Sequence, residues 1–139
     1  KVSKLGDVMK KRKELKRDKV ASTPAGIRES LKKATTEMLV LFLLERKPMY
    51  TYEMMQTIKL MSDGKISLTN LYIAIYRLED FQFIRKDFEE LSDENRTRIY
   101  FSITENGRLY LRRLIDEYRE FTQAVEEILK TQFPLTPLE

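Results

Sequence analysis

Side chains with chemistry to offer concentrate in two places. Five carboxylates crowd a short stretch (Asp87, Glu89, Glu90, Asp93 and Glu94), and between Lys10 and Lys19 seven Lys/Arg stand against two acids, Glu14 and Asp18. Cys and His are both absent from the 139 residues. With them go thiol nucleophiles, imidazole bases, His-containing triads, haem attachment and the usual zinc sets. Catalysis would have to be built from carboxylates, Lys, Tyr, Ser and Thr. Glu89, Glu90, Asp93 and Glu94 are the set that could hold a hard cation, but they read as a hairpin tip, which offers no rigid cavity. The expectation is therefore no catalytic residue, no metal site and no cofactor.

The cationic stretch has a different meaning. Residues 1–23 hold nine Lys/Arg and three Asp/Glu, a net of +6, which leaves 17 basic and 19 acidic groups, a net of −2, for the rest. The overall +4 is thus a property of the amino-terminal arm and not of the body. Such a run reads either as a solvated, partly helical tail or as a phosphate-binding arm. An acidic membrane surface fits less well, because Leu5, Val8, Met9, Leu15 and Val20 make only a thin apolar face.

No disulfide can form, and the 35% charged composition suits a reducing, aqueous compartment. The longest apolar run, Met38 to Leu44, falls far short of the about 20 residues a spanning helix needs. The basic start leads into no apolar stretch, so the pattern of a secretion signal is incomplete. A cytoplasmic protein without a membrane partner is expected.

The elements that must position any functional group are clearly punctuated. Thr23-Pro24 reads as an N-cap followed by proline at the first helical position. The helix it opens carries Ile27, Leu31, Ala34, Met38 and Leu41 at spacings of three and four, turns apolar all round, and ends before Pro48. A second helix is expected from about Tyr52 to Ser62, with Met55, Ile58 and Met61 or Ser62 inward and Gly64 as the left-handed residue beyond it. Ser67 is expected to cap a third, whose Leu68, Leu71, Ala74, Ile75 and Leu78 gather on one side. Ile84–Glu90 and Thr97–Ile103 read as strands joined by the polar tip LSDENR, with Ile84 and Phe88 sharing a face and Arg98, Tyr100 and Ser102 outward. A hairpin after a helix-turn-helix is a winged helix, a layout that lays the third helix in the DNA major groove and the hairpin beside the backbone.

Thr104 is expected to cap a last helix reaching about Lys130. Leu111, Leu114, Tyr118, Phe121, Val125 and Ile128 step by alternating threes and fours, with Ile115 and Leu129 on a flanking row. That is a coiled-coil seam wider than one neighbour can cover. A homodimer through Leu111, Leu114, Ile115, Tyr118, Phe121, Val125 and Ile128 is expected. The fold class is mainly α with a small β-hairpin: a winged helix-turn-helix plus a long C-terminal dimerisation helix. The expected boundaries are a basic extension over 1–23, the winged helix over 24–103, the last helix over 104–131 and a tail over 132–139.

Three ordered blocks carry a family resemblance. They are Pro48-Met49-Tyr50-Thr51-Tyr52-Glu53-Met54, then Ser67-Leu68-Thr69-Asn70-Leu71-Tyr72 followed by Arg77-Leu78-Glu79, and finally the basic strand and helix start running from Asn95 to Arg108 with its Thr104-x-x-Gly107. From Glu37 to Ile128 the chain resembles the PadR family of bacterial transcriptional regulators, in the branch with a single C-terminal helix. It departs from the family pattern at Thr51 (usually Gly), Thr69-Asn70 (Gly-Thr), Ile73 (Pro), Asn95 (Gly) and Thr97 (Pro).

The resemblance implies that Tyr52, Ser67 and Tyr72 reach the phosphate backbone and that Arg96 and Arg98 contact phosphate or a minor groove. Helical geometry adds Thr69, Asn70, Ile73, Tyr76, Arg77 and Asp80 on the side of the third helix opposite Leu71. Asn70 and Arg77 suit adenine and guanine edges respectively. Arg77 has an alternative as an ion pair with Asp80 or Glu53, and Tyr72 as a half-buried aromatic at the helix start. A homodimeric repressor on a palindromic operator in double-stranded DNA is the leading expectation. The alternative is a winged-helix module that binds protein through its acidic hairpin. The resemblance also implies a small hydrophobic or aromatic effector between protomers, with Met38, Phe42, Tyr118 and Phe121 as candidate lining, although such side chains at helical spacing also read as core.

Overall fold

Thr23 does cap a helix: its hydroxyl oxygen accepts from Gly26 N at 3.2 Å, and Pro24 opens it. The computed structural model describes residues 4–17 and 22–133. Its order is α1 (Lys4–Arg17), α2 (Pro24–Leu44), α3 (Thr51–Met61), α4 (Tyr72–Asp80), β1 (Ile84–Leu91), β2 (Thr97–Ile103) and α5 (Glu105–Lys130). Two compact units divide inside α2, one ending at Thr36 and the other beginning at Glu37. Of the tail expected over 132–139, Gln132 and Phe133 are described and non-helical, while residues 134–139 with Pro134 and Pro137 lie outside the described residues, as do residues 1–3 and 18–21 of the arm. Among the described residues no helix is long and apolar enough to cross a membrane.

The second unit is built on one core. Val40, Leu41, Leu43 and Leu44 of α2, Met54 and Ile58 of α3, Leu71, Ile75 and Leu78 around α4, Ile84, Phe101 and Ile103 of the hairpin, and Leu111 of α5 are all buried. On α3 the inward pair is Met54 and Ile58, one turn apart; Met55 is only half-buried, and of the two alternatives at the helix end Ser62 is half-buried while Met61 is exposed. At 100° per residue Met61 keeps the side of Met54 and Ile58, but as the last residue of α3 it borders a shallow hollow beside Ile58 and not the core. Asp63 (φ 54°) and Gly64 (φ 77°) are both left-handed, and Ser62 Oγ closes the turn by accepting from Ile66 N at 2.9 Å.

Ser67 caps nothing. It lies in extended chain, and α4 begins at Tyr72, whose N–H donates to Asn70 Oδ1 at 3.1 Å. Leu68 and Leu71 are still buried, reached from irregular backbone rather than from a helical face. The Asn side chain offers its own turn to the backbone two residues on, which competes with helix.

The hairpin is antiparallel, with Ile84 opposite Ile103 and Leu91 opposite Thr97. A register shift between Lys86 and Phe88 leaves Asp87 as an extra residue on β1. This bulge inverts the alternation beyond it, so Phe88 does not share the inward face of Ile84. It pairs with Tyr100 instead. Asn95 at the tip sits at φ 60°, the conformation in which Asn is the next best residue to the family's Gly.

Two further devices fix the frame. Met49 and Phe101 exchange both main-chain hydrogen bonds, at 3.2 and 2.9 Å, so β2 holds the entry to α3. Arg112 makes a two-pronged contact with the Glu45 carboxylate at 2.6 and 2.7 Å, joining α5 to the end of α2.

Candidate nucleic-acid interface

An open cleft of about 870 Å³ separates the start of α3 and the outer face of α4 from the wing, as the hairpin will be called. Tyr52, Tyr72, Arg96 and Arg98, all singled out from sequence, line it, together with Tyr76 and Lys86. Tyr52, Tyr72 and Tyr76 are each about 60% exposed. Phenolic hydroxyls on three turns of helix can donate to phosphate oxygens, and the two arginines add the fork geometry that grips them.

Arg98 is positioned by aromatic stacking. Its guanidinium lies 4.7 Å from the centroid of the Tyr50 ring. Tyr50 in turn meets Tyr100 edge-on at 5.3 Å, and Tyr100 stacks on Phe88 at 4.4 Å. Because Phe88 reaches Tyr100 only through the Asp87 bulge, the bulge helps to place Arg98. The neighbouring Glu90 carboxylate, as an acceptor for the hydroxyl, raises the pKa of Tyr100 above the ordinary 10.0; desolvation and the charges of Glu90 and Glu53 act in the same direction, against Arg98. The expected outward face of Arg98, Tyr100 and Ser102 is thus half-buried. Tyr50 and Tyr100 were not among the sequence-derived site residues; the Tyr50-Thr51-Tyr52 run was the available signal.

The other expected residues are arranged differently. Ser67, Thr69, Asn70, Ile73 and Arg77 are exposed but lie outside the cleft lining. Arg77 pairs with neither Asp80 nor Glu53: its Nε lies 3.4 Å from Glu37 Oε1, while Glu53 is taken by Lys47 at 3.1 Å. Tyr72 is exposed rather than half-buried. On the wing, Arg96 lies 3.8 Å from Glu94 and Arg85 4.0 Å from Asp87. Exposed pairs of this kind are worth about 0–1 kcal/mol, so exchanging the carboxylate for a phosphate costs little.

On α5 only Leu111 of the expected seam is fully buried, and Leu114 and Ile115 are half-buried. Tyr118, Phe121, Val125 and Ile128 are exposed. Met38 and Phe42 are half-buried in α2. Phe42 borders an apolar hollow of about 200 Å³ with Leu39, Leu43, Ile58, Met61 and Ile66, and Met38, Tyr118 and Phe121 lie outside it. Among the described residues no group of His, Cys, Asp or Glu is placed to hold a metal ion.

Residues 40–113, just over half of the chain, match the Transcriptional regulator PadR-like family. The chain belongs to this family. A transcriptional regulator from Streptococcus is 29% identical, with 72% of this chain covering 97% of that one at a TM-score of 0.60. A PadR family transcriptional regulator from Eggerthella lenta is 25% identical over 82% of this chain and 95% of its own, with a TM-score of 0.64. A transcriptional regulator from Clostridium thermocellum, 23% identical, shares the fold at a TM-score of 0.64 over 73% of this chain and 99% of its own. The PadR-like match spans the core, the cleft, the hairpin and the start of α5.

Proposed function

We propose that this PadR-like protein is a homodimeric repressor that grips a palindromic operator in duplex DNA with α3, α4 and the wing of each protomer. The observation that carries this reading is the convergence of Tyr52, Tyr72, Tyr76, Arg96 and Arg98 on one cleft. In this reading the tyrosines and wing arginines fix the phosphate backbone. Asn70, Ile73 and Arg77, exposed at the start and on the outer side of α4, meet base edges, and Ser67 and Thr69 lie beside the backbone before it. The α5 face from Tyr118 to Ile128, open in one chain, is covered by the second. Two recognition helices must then stand about one turn of DNA, ~34 Å, apart.

An effector space of the expected kind would lie where the protomers meet, since Tyr118 and Phe121 belong to the open seam. A bound compound would act by changing the spacing of the two recognition helices.

Fluorescence anisotropy against the duplex upstream of its own gene and a scrambled duplex of equal length tests the reading. The expected outcome is a large affinity ratio that survives a higher salt concentration, with reduced expression of a reporter placed behind that duplex. Equal binding to both duplexes that collapses with salt would overturn it in favour of a winged-helix module for protein partners, with Asp87, Glu89, Glu90, Asp93 and Glu94 of the acidic hairpin as its surface.

A further inference from the structure

We infer that α1 is a second, sequence-independent phosphate grip that clamps duplex DNA outside the base pairs read by α4 and the wing; this rests on the DNA-binding reading above. The family match begins at residue 40, and 73% of this chain suffices to cover 99% of the C. thermocellum regulator. α1 thus lies outside the residues that the family match covers.

The contrast in charge is decisive. From Arg46 to Arg108 ten basic residues stand against ten acidic ones, and the cations Lys47, Arg77, Arg85 and Arg96 each face a carboxylate. That surface has little net field with which to attract a polyanion. In α1 the side chains of Lys4, Lys10, Lys11, Arg12 and Lys13 are exposed, and none makes an ion pair with a described residue. Exposed cations along a helix release counterions from DNA in proportion to the phosphates they meet.

The apolar side of α1 argues against a lipid surface. Leu5, Val8 and Met9 are its described apolar side chains, and at 100° per residue Arg12 falls between Leu5 and Val8 on that face. An interfacial helix needs an uninterrupted apolar face to bury.

The test compares the full chain with its K10Q/K11Q/K13Q variant, whose helix is retained because Gln and Lys have similar propensity. Anisotropy with the upstream and scrambled duplexes is followed from about 50 to about 200 mM salt. The variant is expected to bind both duplexes at least about tenfold more weakly at the lower salt, with a log–log salt slope smaller by about 2–3 for each arm engaged. The ratio between the duplexes is expected to stay the same. An unchanged slope would overturn the inference. So would wild-type binding to vesicles of equal parts phosphatidylglycerol and phosphatidylcholine that the variant loses while its duplex binding stays intact. A wild type that fails to distinguish the duplexes, yet loses slope in the variant, would sink the operator reading and leave the grip standing.

Discussion

Gly107, in the first turn of α5, faces the main-chain carbonyl of Phe83 so closely that a Cβ there would stand 2.0 Å from the oxygen and 2.8 Å from Ile103 Cγ1. The same turn is fastened by Thr104, whose Oγ1 accepts from Gly107 N at 3.0 Å and donates to Gln82 O at 2.6 Å. The Thr-x-x-Gly motif is thus a joint: the threonine ties the helix start to the residues before β1, and the glycine lets the two backbones approach.

Gly107→Ala is expected to destabilise the fold by about 1–3 kcal/mol, because the obstruction is backbone and cannot swing aside. Thermal melting followed by circular dichroism should show Tm lower by roughly 4–12 °C. Gly64→Ala is the informative partner. A Cβ at Gly64 meets open space, so its cost of about 1–2 kcal/mol comes from the left-handed φ of 77° alone, and Gly64→Asn should recover most of it.

The helix-start hydrogen bond expected of Ser67 is made by Asn70. Asn70→Ala removes the acceptor for Tyr72 N and should cost about 1 kcal/mol, whereas Ser67→Ala, at a residue that caps nothing, should leave the urea midpoint unchanged. Asn70→Asp keeps the acceptor for Tyr72 N and places a negative charge at the start of α4. It should therefore retain stability and lose DNA affinity in the anisotropy assay, separating the structural from the recognition role of one side chain.

Legibility followed the range of the interactions. The bounds of β2 and the Thr104-capped α5 could be read because caps, strict alternation and threes-and-fours spacing are local signals. The start of α4 could not. Leu68 and Leu71 are three apart and buried, which a helix and an irregular turn satisfy equally, and Asn70 decided for the turn. Phe88 shares parity with Ile84, so one inserted residue at Asp87 reverses its face with no trace in the pattern. Arg77 meets Glu37, 40 positions away in sequence, and Arg98 finds Tyr50 only because Met49 bridges to Phe101. Tyr52, Tyr72, Tyr76, Arg96 and Arg98 of the cleft were named from sequence, while the aromatic support beneath Arg98 depends on tertiary register.

Tyr100 gives a pH signature. The Glu90 carboxylate, as an acceptor beside its hydroxyl, holds the phenol pKa above the ordinary 10.0. The folded chain then keeps that proton more tightly than the unfolded chain. The stabilising contribution is fully present below about pH 10 and is lost as pH rises through the raised folded value. Urea midpoints at about pH 9 and about pH 11 should therefore differ less in Tyr100→Phe than in the parent. Glu90→Gln removes the charged acceptor, so in a spectroscopic phenol titration one tyrosine should move back toward pH 10.

The α5 seam separates association from folding. Phe121 and Ile128 are about 70% exposed, so neither contributes to the core of its own chain, and Phe121→Glu with Ile128→Glu should leave helicity unchanged. If a second protomer covers that face, two buried carboxylates without partners become prohibitive, and analytical ultracentrifugation should show the dimer replaced by monomer. Operator affinity should fall with it, because a single protomer engages one half-site and forfeits the effective concentration that linkage to a second site supplies. Leu111→Glu is the contrasting substitution. Leu111 is fully buried within one chain, so its replacement should abolish folding rather than association, and a double variant that stayed dimeric would overturn the seam as the protomer contact.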